Sequence, residues 1–143
     1  MDKVKSRKQL EQVRPSYIHQ VWPWVAPLLA RPFASQGDDY YSLDQLKVLL
    51  VSGEHVLFVV ADDNGAVGAF TVCIQQYPNK RVAFISALGG RGVVTEEVFA
   101  QLQAWAVSNG CTDIQGNVRD SVARLMEQQL GMKRKHTVME FKL

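Results

Sequence analysis

Leu88–Asn109, LGGRGVVTEEVFAQLQAWAVSN, decides how the rest of this chain is read. A hydrophobic run, Arg81–Leu88, enters a bend rich in glycine, and the bend opens into the longest amphipathic stretch of the sequence. Thr95 is placed to cap a helix whose first turn holds Glu96 and Glu97, and Val98, Phe99, Leu102 and Ala106 recur at helical spacing as its buried stripe. Asn109-Gly110 ends it. Strand, glycine bend and helix start together aim main-chain N–H groups and the positive end of a helix dipole at one point, an arrangement suited to an anion.

Working backward, HVLFVVA from His55 is a strand run, Asp62-Asp63-Asn64-Gly65 is hairpin chemistry, and Ala66–Gln76 returns. Tyr77-Pro78-Asn79-Lys80 turns the chain into Arg81–Leu88, so three strands meander antiparallel. Before them, Ser42 and Gln45 form a capping box for a helix over Leu43–Ser52, closed by Gly53. Val13–Arg31 carries apolar residues at helical intervals; Pro23 suits a helix start, and Pro27 is expected to kink or end the helix. Working forward, Cys111–Val118 reads as a strand parallel to the one before the crossover helix, and Ser121–Leu130 as a second amphipathic helix stopped by Gly131. Lys135–Leu143 alternates, with Thr137, Met139, Phe141 and Leu143 on one side, and reads as a closing strand. The expected fold is α/β or α+β: a mixed, mainly antiparallel sheet flanked by helices, in the order α-α-β-β-β-α-β-α-β.

At 143 residues one domain is expected, over 13–143, behind a basic leader at 1–12. An apolar fraction of 47% with 21% charged residues is ordinary for a globular protein, and no apolar run approaches the roughly 20 residues of a membrane span. The charged amino terminus lacks a signal's apolar core, which points to the cytoplasm. Cys73 and Cys111 stand apart and read as buried reduced thiols; His19, His55 and His136 are scattered, so no metal site is expected. A net charge of +2 is too small to argue for nucleic acid, and Lys3, Lys5, Arg7, Lys8 with Lys133, Arg134, Lys135 read as solvated charge.

The order of elements over Val13–Leu143 resembles the GCN5-related N-acetyltransferase fold, and more narrowly the small acetyltransferase-like proteins of tailed bacteriophages. WAVSNGCTDI (Trp105–Ile114) is similar to that family's helix end and following strand, and LGM (Leu130–Met132) to its helix-closing L-G-F. The resemblance implies acetyl-CoA as cofactor and a small-molecule or protein amine as acceptor, without membrane association. It places Leu88, Gly89, Gly90, Arg91, Gly92 and Asp120 at the cofactor. It also places the loop residues Asp38, Asp39, Tyr40 and Tyr41 at the acceptor, where carboxylates and phenols suit a cation.

The family's bend reads Q/R-x-x-G-x-G/A, and its slots fall here on Gly90, Val93 and Thr95, none of which matches. In the second motif, N-x-x-A-x-x-x-Y-x-x-x-G-F, Asp120, Ala123, Glu127, Gly131 and Met132 occupy the places, so the family's acidic tyrosine is a glutamate. The strand before the bend offers Ser86 where the family often has a carboxylate base. The catalytic residues are therefore left open. Two readings stand: an acetyltransferase-like enzyme with a degenerate cofactor loop, or an inactive binding or structural module of the same fold, such as a bacteriophage virion protein that grips a phage or host partner.

Overall fold

The structure is a computed structural model in which residues 7–36 and 40–143 are described, those at 31–36 by their backbone alone. Five strands form one sheet in sequence order: β1 (Gln9–Val13), β2 (Val56–Asp62), β3 (Gly65–Gln76), β4 (Arg81–Gly90) and β5 (Asp113–Gly116). All neighbours are antiparallel except β4 and β5. Helices α1 (Ile18–Gln36), α2 (Leu43–Ser52), α3 (Glu96–Ser108) and α4 (Asp120–Leu130) complete it.

Local chemistry sets most of these boundaries. Ser42 accepts from the Gln45 amide while the Gln45 side chain accepts from the Ser42 amide, and Gly53 closes α2 at φ +83°. Asp62 and Gly65 pair across the hairpin, leaving Asp63-Asn64 as its turn. Thr95 caps α3 through the Val98 amide, and Gly131 ends α4 at φ +68°.

The pleat sorts alternate strand residues onto two faces. On one, Phe58, Val60, Phe70, Val72, Ala83 and Ile85 pack under Val98, Leu102 and Ala106 of α3. Phe58 stacks on Phe70 at 5.1 Å between ring centroids and meets Trp105 edge-on at 5.0 Å. On the other face, Leu57, Val59 and Ala69 lie under Ile18, Val25 and Leu29 of α1 and Leu46 and Leu50 of α2.

Three expectations need correction. Gln9–Val13 falls mostly within the segment read as a leader, yet it is β1, paired with β2 from Gln9↔Ala61 to Val13↔Leu57. It is held by tertiary bonds that its own sequence does not announce: Gln101 accepts from the Leu10 amide and donates to the Lys8 carbonyl, and Glu97 accepts from the Lys8 amide. Helix α1 runs through Pro23 and Pro27 rather than stopping. Each interior proline costs about 3 kcal/mol; Ile18, Val25 and Leu29, almost wholly buried, return roughly 1.5–3 kcal/mol apiece. The closing strand expected over Lys135–Leu143 has no regular structure and pairs with no strand among the described residues.

Candidate functional site

Strands β4 and β5 pair only from Val82↔Asp113 to Ile85↔Gly116. Beyond that point β4 stays with β3 as far as Gly68↔Gly90 while the other chain turns away toward α4. The divergence opens a groove of about 470 Å³, walled by Ala87–Val94 on one side and by Asn117, Val118, Arg119, Val122 and Leu125 on the other, with Pro27 and Leu28 of α1 at its edge. Leu88, Gly89, Gly90, Arg91 and Gly92, the bend residues singled out in the sequence, all line it.

The bend is tightly built. Gly90 has φ +89°, and a methyl group there would lie 2.5 Å from the Gly68 Cα and 2.5 Å from the Val67 carbonyl oxygen. The Arg91 amide donates to that Val67 carbonyl at 2.8 Å, so it is committed to β3. Among the described residues the amides of Gly92, Val93 and Val94 have no backbone partner, and the orphan amides of the first turn of α3 follow directly.

The charges at this end differ from what the sequence suggests. Glu97 is engaged by the Lys8 amide at 3.1 Å. The Lys8 ammonium lies over the bend: a methyl group at Gly92 would come within 2.7 Å of its Nζ. Arg91 and Arg119 line the groove itself. Lys8 thus stands over the free amides and Arg91 and Arg119 line the groove beside them, with Glu96 and Glu97 in the first helical turn as the opposing carboxylates.

Asp120 is not among the residues that line the groove. Its carboxylate is paired with Arg134 at 2.6 Å and Arg124 at 3.0 Å, and the Arg134 contact, first of these, holds its pKa below the usual carboxylate value. Glu127 is tied to Arg134 as well, at 3.0 Å.

A second polar cluster sits where the β3–β4 register slips. Thr71 pairs with Ala87 and Val72 with Ile85, which leaves Ser86 as the extra, bulged residue. Its hydroxyl is 2.7 Å from Thr71 Oγ1 and 2.9 Å from His55 Nδ1, and its carbonyl accepts from Tyr41 Oη at 3.4 Å. The Tyr41 and His55 rings meet edge-on at 5.8 Å. Burial pushes the imidazole below its usual pKa, with Glu54 opposing, and burial pushes the Tyr41 phenol up. His55 is therefore neutral near pH 7, with Nδ1 engaged and Nε2 remaining for another partner.

Of the residues expected at an acceptor, Tyr41 belongs to this cluster and Tyr40 is 79% exposed. Asp38 and Asp39 lie outside the described residues. Sequence reasoning assigned no site role to His55 or Lys8: His55 is 31 residues from Ser86, and only the pairing of β2, β3 and β4 brings them together. Among the described residues no three His, Cys, Asp or Glu side chains gather as a metal would need.

A sheet of this order, with one parallel pair that splays and helices on both faces, is the fold of GCN5-related N-acetyltransferases. Similar solved structures bear this out. They include aminoglycoside N-acetyltransferase AAC(6')-Iy in complex with CoA, with 17% identity, a TM-score of 0.68, and coverage of 100% of this chain and 99% of that one. An aminoglycoside acetyltransferase from an uncultured soil metagenomic sample, in complex with trehalose, has 17% identity and a TM-score of 0.65 over 96% of this chain and 95% of that one. A transcriptional regulator from Bacillus halodurans C-125 has 18% identity and a TM-score of 0.60 over 95% and 99%. At such identities the likeness establishes the fold. No protein-family model matches the sequence, and no curated protein does.

Proposed function

We propose that the groove between β4 and β5 binds acetyl-CoA and that the protein transfers an acetyl group from it to an amine. The observation that carries this reading is the parting of the two strands after Ile85 and Gly116, which leaves the β5-side edge of β4 without a strand partner along the groove. That edge offers main-chain donors and acceptors to an extended chain bearing amides. The unpartnered amides of Gly92, Val93 and Val94, the start of α3, and the charges of Lys8, Arg91 and Arg119 suit a pyrophosphate at its end. Similar proteins bind such a cofactor: AAC(6')-Iy has been seen with CoA and with a bisubstrate analogue, CoA-S-monomethyl-acetylneamine.

An acetyl thioester supplies an activated acyl group when bound. The chain's part is to orient it and to take the first proton from the amine; the second N–H proton would end on the departing sulfur, so that CoA leaves as the thiol. Main-chain amides at the Ser86–Leu88 bulge are the fixed dipoles available to a developing oxyanion. An amine arriving as a cation must lose a proton before its nitrogen can attack. We assign that step to neutral His55, whose Nδ1 is bonded to Ser86 and through it to Thr71, in place of the carboxylate absent from β4. Tyr41 sits beside it, and Asp38, Asp39 and Tyr40, which precede it in the sequence, are assigned to attraction of the cation.

The test is thiol release from acetyl-CoA with a panel of primary amines and lysine peptides. Amine-dependent turnover is expected, with kcat reduced about a hundredfold in His55→Gln and with KM for the cofactor unchanged. Cofactor binding without turnover on any amine refutes the transfer. One observation favours the second reading, a non-catalytic module of this fold such as a bacteriophage virion or host-binding protein. Glu127, in the family's tyrosine position, is locked to Arg134 rather than free to act as an acid.

A further inference from the structure

The face of the sheet that packs under α3 is not completely filled. A void of about 20 Å³ remains between Phe70 and Ile85 of the sheet, Val98 and Leu102 of α3, and Met126 and Leu130 of α4. Among the described residues every side chain that lines it is apolar. Protein interiors are close-packed, so a hole between two layers that otherwise interlock calls for an occupant. A space of this size has room for one water-sized group, and without polar partners it stays dry.

Its position says what that occupant is. Ile85, Leu88, Val93 and Val94 wall both this void and the groove between β4 and β5, so the two spaces adjoin across these four side chains. Ile85 and Leu88 flank the bulge at Ser86, and both pack on the α3 face of the sheet. Thr71 alternates with Phe70 and Val72 and so lies on the opposite face, and the Ser86 hydroxyl turns there to meet Thr71 and His55. Tyr41 packs against the α1–α2 core on that same face. An acyl carbonyl held at the main-chain amides of the bulge therefore has the base on one face of the sheet and the void on the other.

We propose that the void receives the end of the acyl group, and that the preferred donor is propionyl-CoA, one methylene longer than acetyl-CoA. This inference rests on the cofactor reading of the groove. Size limits the chain: one further carbon fills the space, and a longer one meets Met126 and Leu130. Chemistry limits it as well. With no side-chain donor or cation in the lining, a dicarboxylic acyl group such as succinyl would leave its carboxylate unpaired. The transfer is otherwise the one already described: a C–N bond forms to the amine as the C–S bond breaks, one amine proton passing to His55 and the second to the sulfur of the departing thiol.

Calorimetric titration of the full chain with free CoA, acetyl-CoA, propionyl-CoA and butyryl-CoA, without amine, tests it. The native protein is expected to bind propionyl-CoA about fourfold more tightly than acetyl-CoA, the worth of one buried methylene. Val98→Ile adds one methylene to the void from α3; it should bring the two affinities level and leave free CoA unchanged, because Val98 does not line the groove. Leu130→Ala, at the half-buried end of α4, should enlarge the space and make butyryl-CoA the tightest of the four. With an amine present, kcat/KM should follow the same order in each variant. If free CoA binds but the native chain holds acetyl-CoA as tightly as propionyl-CoA, or if Val98→Ile keeps the fourfold preference, the void is not the acyl site and the proposal is overturned. If no form of CoA binds, the cofactor reading of the groove falls and this inference falls with it.

Discussion

Replacing Gly90 by alanine is the sharpest structural test of how the groove is built. Gly90 has φ +89°, where an L side chain costs about 1–2 kcal/mol. The added methyl would also stand 2.5 Å from two main-chain atoms of β3, the Gly68 Cα and the Val67 oxygen. Neither atom can rotate away, so the end of the β3–β4 ladder must part at a further cost of about 1–3 kcal/mol. The expected loss is about 2–5 kcal/mol, a large share of a typical stability of roughly 5–15 kcal/mol. Gly131→Ala supplies the comparison: φ is +68° and nothing lies within 4 Å of its added methyl, so about 1–2 kcal/mol of conformational strain is all that applies. Urea unfolding followed by tryptophan fluorescence gives both values, provided the m-values agree. Gly90→Ala should cost more than Gly131→Ala by about 1–3 kcal/mol. Because the Arg91 amide bonds to the same Val67 carbonyl, Gly90→Ala should also weaken acetyl-CoA binding, whereas Gly131→Ala should not. Equal costs in the two variants would refute the close approach on which the bend depends.

Leu29→Ala should destabilise by about 2–5 kcal/mol, since Leu29 of α1 is fully buried against the sheet and α2; a loss under about 1 kcal/mol would show that this helix is not anchored as described. Ser42→Ala should cost about 1 kcal/mol in the same denaturation assay, and Gln45→Ala added to it little more, because the two side chains form one capping box. The pH dependence of stability should carry the mark of His55. Its folded pKa lies below the ordinary 6.5, so the unfolded chain binds the proton more readily; the associated stability is complete above pH 6.5 and is lost as pH falls below it. The melting temperature should therefore drop from pH 7.5 toward 5.5 in the native protein and drop less in His55→Gln; parallel curves would contradict the burial of a neutral imidazole.

Where structure follows from a few adjacent residues, the sequence was enough. Ser42, Gln45 and Gly53 bound α2, Asp62 to Gly65 make the hairpin, and Thr95 starts α3, each through bonds spanning two or three residues. The glycine bend and its neighbours were legible for the same reason. What the sequence hid depends on distant partners. β1 owes its place to Gln101 and Glu97 on α3, and α1 passes its prolines because of a buried face that no local rule weighs. His55 looked like a scattered histidine until three strands carried it to the bulge at Ser86. The alternation of the last stretch predicts a strand that the structure does not form, because a pattern cannot say whether a partner strand is paired with it.

Calorimetric titration with acetyl-CoA is the most direct test of the central claim, that the parted strands form a cofactor groove. Saturable one-to-one binding is expected, weakening as salt is raised because Lys8, Arg91 and Arg119 contribute, with hydrogen-exchange protection confined to Gly89–Val94 and Asn117–Val122. No heat at millimolar cofactor, or protection elsewhere in the fold, would contradict it.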